Sequence, residues 1–386
     1  MTVAIIQNHV INGGRLMWIS GMIAYLNARN ITPDLISYHC PFTAADIKAR
    51  FGYEVRFNLV HLKKPAIPTT QEMEIILFNL HARKVLKRYD LVFNSSNSWL
   101  GLSAYRQIVH YVHFPRKYRL WHDIHDDGTG TEKQRWYRPI HDNMMRLLYA
   151  ACDREAPGRI VANSRFTAGK IKATWSSAQP QTIYPAMSGT MRQETLERWK
   201  KRSNDFVTLG RFSPEKGQLK LMRAIAGLPA TFHFIGFSDP DSPYLRACQD
   251  FSRHHDNIRI HANIGNDEKE QVLATSRYYI HTTINEPYGL AIIEALSHGV
   301  LPVIHASGGA REIIPDEQLQ YRNLTELATN IEDLISEDTS KQYRRLYDLQ
   351  SRSQKLFAPE VINAQWNALL NLPANKTVSD NTHEIT

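Results

Sequence analysis

Cysteine is scarce. The 386 residues hold three, Cys40, Cys152 and Cys248, far apart and without a CxxC spacing. That scarcity excludes a disulfide framework and a structural zinc, and it fits a reducing, cytoplasmic setting. Long apolar runs are also missing: no stretch reaches the roughly 18 residues that a membrane-crossing helix needs. The richest run, Tyr288 to Ile304, is broken by Glu294, His298 and Pro302. At the start, Met1 to Gln7 carries no basic segment ahead of a long apolar one, so no signal peptide is expected there. Low-complexity, collagenous and wholly disordered chains are excluded by 42% hydrophobic and 22% charged residues. The length suggests two domains, possibly three.

Positive charge is in surplus, and it is unevenly placed. The net charge is +8, from 46 Lys and Arg against 38 Asp and Glu. Residues 1–190 hold 24 basic and 13 acidic residues, a net +11, which leaves 22 and 25, a net −3, for residues 191–386. A surplus confined to one half points to an anionic partner for that half. Nucleic acid is not expected. The basic residues are not interleaved with aromatics, and no helix-turn-helix or zinc spacing occurs.

Short β-branched runs alternate with helical patterns, the signature of parallel α/β architecture. In the first half, Val3–Ile6, Leu35–Tyr38, Leu91–Phe93, Ile108–His113, Arg159–Ala162 and Gln181–Tyr184 read as strands. A helix after Gly13-Gly14 places Leu16, Ile19, Ile23 and Leu26 on one face, and another spans Glu72–Lys87. The polar stretch Ser188–Asp205 reads as a linker. The alternation then restarts with strands at Phe206–Leu209, Thr231–Ile235, Ile258–Ile260, Tyr278–His281 and Leu301–Ile304. A last helix, about Pro359 to Leu372, carries Val361, Trp366, Leu369 and Leu370, and the polar residues after it read as a disordered tail.

Two segments carry chemistry. In Asn285-Glu286-Pro287-Tyr288-Gly289-Leu290-Ala291-Ile292-Ile293-Glu294-Ala295, Pro287 suits a helix start and Gly289 permits close backbone approach. The free N–H groups of such a helix suit a phosphate. Glu286 suits sugar hydroxyls, and Glu294 suits the two hydroxyls of a ribose. In Gly210-Arg211-Phe212-Ser213-Pro214-Glu215-Lys216-Gly217, directly after a strand, Arg211 and Lys216 flank a turn where both cations can converge on a diphosphate. Taken alone, spacing leaves a solvated surface helix and an ordinary exposed turn as the plain alternatives.

These two segments, in this order, resemble the retaining GT-B enzymes of glycosyltransferase family 4. Further matching pieces are Gly13-Gly14, Val161-Ala162-Asn163-Ser164-Arg165-Phe166-Thr167 and Ser307-Gly308-Gly309-Ala310-Arg311-Glu312-Ile313-Ile314. The resemblance implies a GT-B fold. An acceptor-binding Rossmann-like domain would span 1–190 and a donor-binding one 191–355. A helix within 356–373 would cross back to the first domain, with a tail over 374–386. It implies that Glu286 holds the donor sugar and Glu294 the ribose. Arg211 and Lys216 would neutralise the diphosphate, with amides of Gly13-Gly14, Gly289 and Leu290 facing the same phosphates. His113, in Tyr111-Val112-His113-Phe114-Pro115, would lie beside the donor sugar. That last segment resembles the mannosyltransferases that extend lipid-linked oligosaccharides. His113 and Glu286 are therefore the candidate catalytic residues, with a core role as the alternative for His113.

The donor expected is a UDP- or GDP-linked hexose. No metal is expected, because two cations and a helix N-terminus can stabilise the leaving diphosphate. The rival segment His122-Asp123-Ile124-His125-Asp126-Asp127-Gly128 fails as a calcium loop, with His125 and Gln134 at positions that need oxygen-rich and acidic ligands. The acceptor expected is a glycan, a lipid-linked sugar or another anionic molecule. It would be presented at a cytoplasmic membrane surface drawn to Arg83, Lys84, Lys87, Arg88, Arg116, Lys117 and Arg119. A soluble, phosphorylated acceptor would explain the same charge.

Overall fold

A computed structural model describes residues 1–66, 70–102, 105, 107–121, 143–147, 149, 158–188, 191 and 193–371. The strands of the first half are β1 (Val3–Ile6), β2 (Asp34–Ser37), β3 (Asn58–His61), β4 (Leu91–Asn94), β5 (Ile108–Val112), β6 (Arg159–Ala162) and β7 (Gln181–Thr182). They form one parallel sheet in the order β3-β2-β1-β4-β5-β6-β7. The second half repeats the plan with β8 (Ser203–Leu209), β9 (Phe232–Gly236), β10 (Ile258–Ala262), β11 (Ser276–His281), β12 (Leu301–His305) and β13 (Gln320–Tyr321). Their order is β10-β9-β8-β11-β12-β13, again all parallel. This pair of facing doubly wound sheets is the GT-B fold.

The central strands are apolar runs because both faces are covered. All five residues of β5 and all six of β11 are buried, His110 and Arg277 included. Burying those polar groups requires partners. Asn94 meets the His110 ring at 3.0 Å, and the Arg277 guanidinium donates to Asn204 and to the Arg202 carbonyl.

The helix Gly14–Asn27 buries Leu16, Ile19, Ile23 and Leu26 as its pattern implies, but Trp18, Met22 and Tyr25 are buried too. The reason lies in the chain's far end. Helix Thr339–Phe357 stops at Ala358, where Pro359 opens a second helix, Pro359–Leu370. That helix sets Trp366 edge-on to Phe93 at 5.8 Å and near Tyr111 at 6.0 Å. Asn367 accepts hydrogen bonds from Tyr25 and Arg29. The first helix is thus covered on its outer side by residues some 340 positions later. The last helix ends at Leu370, short of Leu372, because Asn371 takes a left-handed conformation (φ 54°). The expected tail lies outside the described residues.

Two readings change. Ser188–Asp205 is not a slack linker: it contains helix Leu196–Lys201, and β8 begins at Ser203. Within it the Arg202 guanidinium pairs with Glu194 in a buried contact and also donates to the carbonyls of Leu273, Ser276 and His298. Pro287 does not start a helix. Gly289 caps it, and the helix runs Leu290–Ser297. The β3 strand, with its exposed faces, showed no alternation in the sequence.

Glu194→Ala should destabilise the fold by about 3–5 kcal/mol, because it strands a buried guanidinium. The loss should be much smaller in the double variant with Arg202→Met. Urea unfolding of the two variants checks this.

Candidate active site

In open parallel sheets, ligands bind at the C-terminal ends of strands, where the strand order reverses. In the first sheet the reversal falls between β1 and β4, and in the second between β8 and β11. The loops after these strands and after β5 hold the motif residues, and they meet at a cavity of about 500 Å³. Gly14, Arg15, Asn97 and His113 line it from the first half, and Gly210, Lys216, His281, Glu286, Gly289 and Leu290 from the second. A groove of about 680 Å³ lies beside Gly158, Gln181 and Leu369, at the N-terminal ends of β6 and β7.

The turn Asn285–Gly289 is built by backbone constraints. Asn285 and Gly289 both have positive φ, 54° and 110°. At φ 110° any L side chain at Gly289 would be strained, and its Cβ would also press on Ile292 Cδ1 at 2.6 Å. Gly308-Gly309 packs directly beneath: the Gly309 N–H donates to the Glu286 carbonyl at 2.7 Å, and a Cβ there would meet the Pro287 carbonyl oxygen at 2.1 Å. The Ser307 hydroxyl accepts from the Asn285 N–H at 2.8 Å. From the other half, the Ser164 hydroxyl donates to the Pro287 carbonyl at 2.6 Å. Glu312 accepts from the N–H groups of Arg165 and Phe166 and from the Tyr184 hydroxyl. It thereby caps the helix Arg165–Thr174 across the seam.

Glu286 is the electrostatic centre. Burial alone would raise its carboxyl group. The His281 ring at 3.5 Å, the Lys216 ammonium at 3.9 Å and the Tyr288 N–H outweigh burial and hold it at about 2. Lys216 is oriented by a 3.1 Å hydrogen bond to Thr283, and its carbonyl accepts from Thr282 at 2.6 Å.

His113 follows β5. Its Nε2 lies 2.9 Å from the Ser95 hydroxyl, and its N–H donates to Asn97. Trp18 and Tyr111 stand edge-on to the ring. Burial, then the nearby Arg15 guanidinium, push its imidazole well below the ordinary range, so it is neutral at pH 7. A neutral ring serves here as a hydrogen-bonding group.

The remaining candidates divide. A Cβ on Gly14 would lie 2.8 Å from Leu290 Cδ1, so these two meet across the cleft. Gly13 does not line the cavity. Arg211 is exposed and does not line it either, although Gly210 before it does. Glu294 lies outside the lining, in the helix behind Leu290, paired with Lys269 at 2.7 Å. Lys269 and His281 are missed in the sequence reading. The signal for His281 was available, since it ends a buried strand as His113 follows one. For Lys269 there was none. The His122–Gly128 segment lies outside the described residues, which contain no cluster of three or more His, Cys, Asp or Glu able to hold a metal.

Residues 192–348 match the family described as Glycosyl transferases group 1. Among named proteins, a GDP-Man:Man(3)GlcNAc(2)-PP-Dol alpha-1,2-mannosyltransferase of Kluyveromyces lactis is 25% identical over 224 residues, 50% of this chain and 39% of that one. The Phosphatidylinositol N-acetylglucosaminyltransferase GPI3 subunit of Saccharomyces cerevisiae is 26% identical over 151 residues, 37% of this chain and 32% of that one. The chain spans well under half the length of such relatives. A sucrose-phosphate synthase structure from Thermosynechococcus elongatus superposes with a TM-score of 0.71 at 15% identity, over 96% of this chain and 98% of that one. An Anabaena structure in complex with UDP and glucose gives 0.69 at 17%, over 96% and 99%.

The depressed carboxyl group of Glu286 contributes stability that is fully present above its ordinary value of 4.5 and is lost as pH falls toward about 2. Between about pH 5 and pH 3, wild type should lose roughly 1–2 kcal/mol relative to Glu286→Gln. Urea midpoints of the two proteins across that range test it.

Proposed function

We propose that this chain, whose second half belongs to the group 1 glycosyl transferases, moves a hexose from a nucleoside-diphosphate sugar to an acceptor held by its first half. One observation carries the reading. A half-buried, ionised carboxylate, an ammonium group and a helix N-terminus share one cavity with His113 and Gly14 from the opposite half.

The chemistry follows from charge. As the bond from sugar to diphosphate breaks, the leaving diphosphate gains negative charge, which preorganised groups must stabilise. Lys216 and the N–H groups at Leu290 supply that, with Arg211 reaching in from the rim and the Gly13-Gly14 turn facing them. Glu286 accepts hydrogen bonds from the sugar hydroxyls. Glu294, with Lys269 beside it, takes the ribose. His113 hydrogen-bonds the sugar from the acceptor side. Among the described residues of the first half, none that lines the cavity is a carboxylate, and no covalent glycosyl intermediate forms on this reading. Transfer with retention then proceeds on one face, with the diphosphate itself taking the acceptor proton. No metal ion is required on this reading, and turnover should survive a strong chelator.

The acceptor is an anionic, lipid-linked molecule at the cytoplasmic face of a membrane. The +11 charge of residues 1–190 supports this. Helix Gln71–Leu86 ends in Arg83 and Lys84, and it exposes Met73 and Leu80, seven residues apart on one face. The relatives named above carry PP-Dol and phosphatidylinositol in their names. Among the described residues no helix is long and apolar enough to cross a membrane. A soluble phosphorylated acceptor is the second reading, on the same charge.

A thermal-shift screen against UDP, GDP and their hexose conjugates should give a clear rise in Tm for one series, since about 100-fold excess over Kd stabilises by roughly 2.7 kcal/mol. Lys216→Ala and Glu294→Ala should both lose it; retention of the full shift in both would displace the donor site. His113→Ala should cut kcat at least 100-fold with donor binding nearly kept. Sedimentation with vesicles should require anionic lipid.

A further inference from the structure

The strand β11 ends with Tyr279, Ile280 and His281, and the pleat puts residues 279 and 281 on the same face. Tyr279 is fully buried. Its hydroxyl has a single partner among the described residues, Nδ1 of His281 at 2.9 Å. His281 is itself 95% buried, being 5% exposed, and its carbonyl is fixed by the Tyr321 hydroxyl of β13 at 2.9 Å. The other ring nitrogen, Nε2, is buried without a protein hydrogen bond of ordinary length. It faces Oε2 of Glu286 at 3.5 Å, inside the cavity.

Only one arrangement of protons satisfies this geometry. If Nδ1 carried the hydrogen, the Tyr279 hydroxyl hydrogen would have no acceptor, and a bare Nε2 lone pair would face a carboxylate. Each defect leaves a buried polar group unpaired, at about 1–3 kcal/mol. If Tyr279 donates to Nδ1, the hydrogen sits on Nε2, whose nearest acceptor is Oε2 of Glu286 at 3.5 Å, and only that one long contact remains to be closed. Such bonds are often long in the absence of substrate and tighten in the productive complex.

We infer that Tyr279 and His281 form a buried relay that positions the Glu286 carboxylate for the hydroxyls of the donor sugar. Both act through Glu286, so they are positioning residues. The close contacts of His281 and Lys216 are both to Oε2. Oε1 carries neither of these side-chain contacts, and it is the oxygen that faces a sugar hydroxyl on this inference. The inference rests on the proposed sugar-transfer reading, and neither Tyr279 nor His281 has a part in binding the nucleotide.

The titratable groups facing the imidazole are Glu286 and Lys216 from the loops, Tyr279 on its own strand, His305 from β12 and Tyr321 from β13. None of them supplies a second donor to Oε2 in the place of His281. Lys216 comes nearest, at 3.9 Å and tied to Thr283.

Three variants test the relay: His281→Phe, His281→Gln and Tyr279→Phe. His281→Phe should lower kcat/KM for the nucleotide sugar by about 10–100-fold, the worth of one charge-assisted hydrogen bond, while Kd for the nucleoside diphosphate alone moves less than about twofold. His281→Gln restores an N–H and should recover most of the loss. In Tyr279→Phe the hydrogen is free to sit on either nitrogen. Its kcat/KM should fall, by less than in His281→Phe, and its imidazole 15N shifts should report hydrogen shared between the two nitrogens. Imidazole 15N shifts of the wild type should report hydrogen on Nε2 at pH 8.

Unchanged kcat/KM in His281→Phe, an equal loss of nucleotide affinity, or a Tyr279→Phe variant with wild-type kcat/KM would overturn the relay. Hydrogen on Nδ1 would overturn it without reference to activity. A wild type that binds no nucleotide sugar would remove the sugar-transfer reading instead, and the nitrogen shifts would still decide the relay.

Discussion

The grip on one five-residue turn organises the rest of the molecule. Asn285–Gly289 carries Glu286, and its backbone is held from three directions. Gly308-Gly309 lies against it without side chains, Ser307 holds Asn285, and Ser164 reaches across from the other half to the Pro287 carbonyl. Each contact is to main-chain atoms, so the turn's shape is independent of most side chains within it. Glu312 extends the same seam by capping a helix of the first half. The relative placement of the two halves and the position of the site carboxylate are therefore one structural fact. A shift in one displaces the other.

That seam explains how a carboxylate can sit charged in a cavity. Burial opposes ionisation, and a lone buried carboxylate would protonate. Glu286 stays ionised because His281, Lys216 and a backbone N–H converge on it from separate elements. Lys216 is positioned by the loop after β8, and His281 by the end of β11. The first half contributes the opposite polarity of control. His113 is kept neutral by burial and by Arg15. One cavity thus holds a negative charge and a neutral imidazole at the same pH.

Much of this was legible residue by residue. The α/β alternation and the run from Val3 to Ile304 follow from buried strands written as apolar runs, and the observed strands fall within a few residues of those readings. The motif glycines were legible because a left-handed turn and a close backbone approach have almost one chemical solution. Other features were not. β3 is mostly exposed at a sheet edge, and its two apolar residues, Leu59 and Val60, make too short a run to mark it. The polar stretch around Glu194 and Arg202 looks like solvent-facing chain, because a buried ion pair has the same composition as an exposed one. Pro287 favours a helix start in general, but the left-handed Gly289 resets the chain direction first.

The sequence by itself determined the two doubly wound sheets, the turn glycines, and the pairing of a cationic loop with a carboxylate turn. These depend on local pattern and on backbone conformations that few residues can adopt. Tertiary structure alone decided which motif residues share the cavity. It kept Lys216 and Glu286 in, set Arg211 at the rim and Glu294 behind the helix, and brought in His281 with Tyr279 behind it. The reason is physical. Convergence on a point is a property of how strand ends and loops from distant parts of the chain are packed, and spacing along the chain does not encode it.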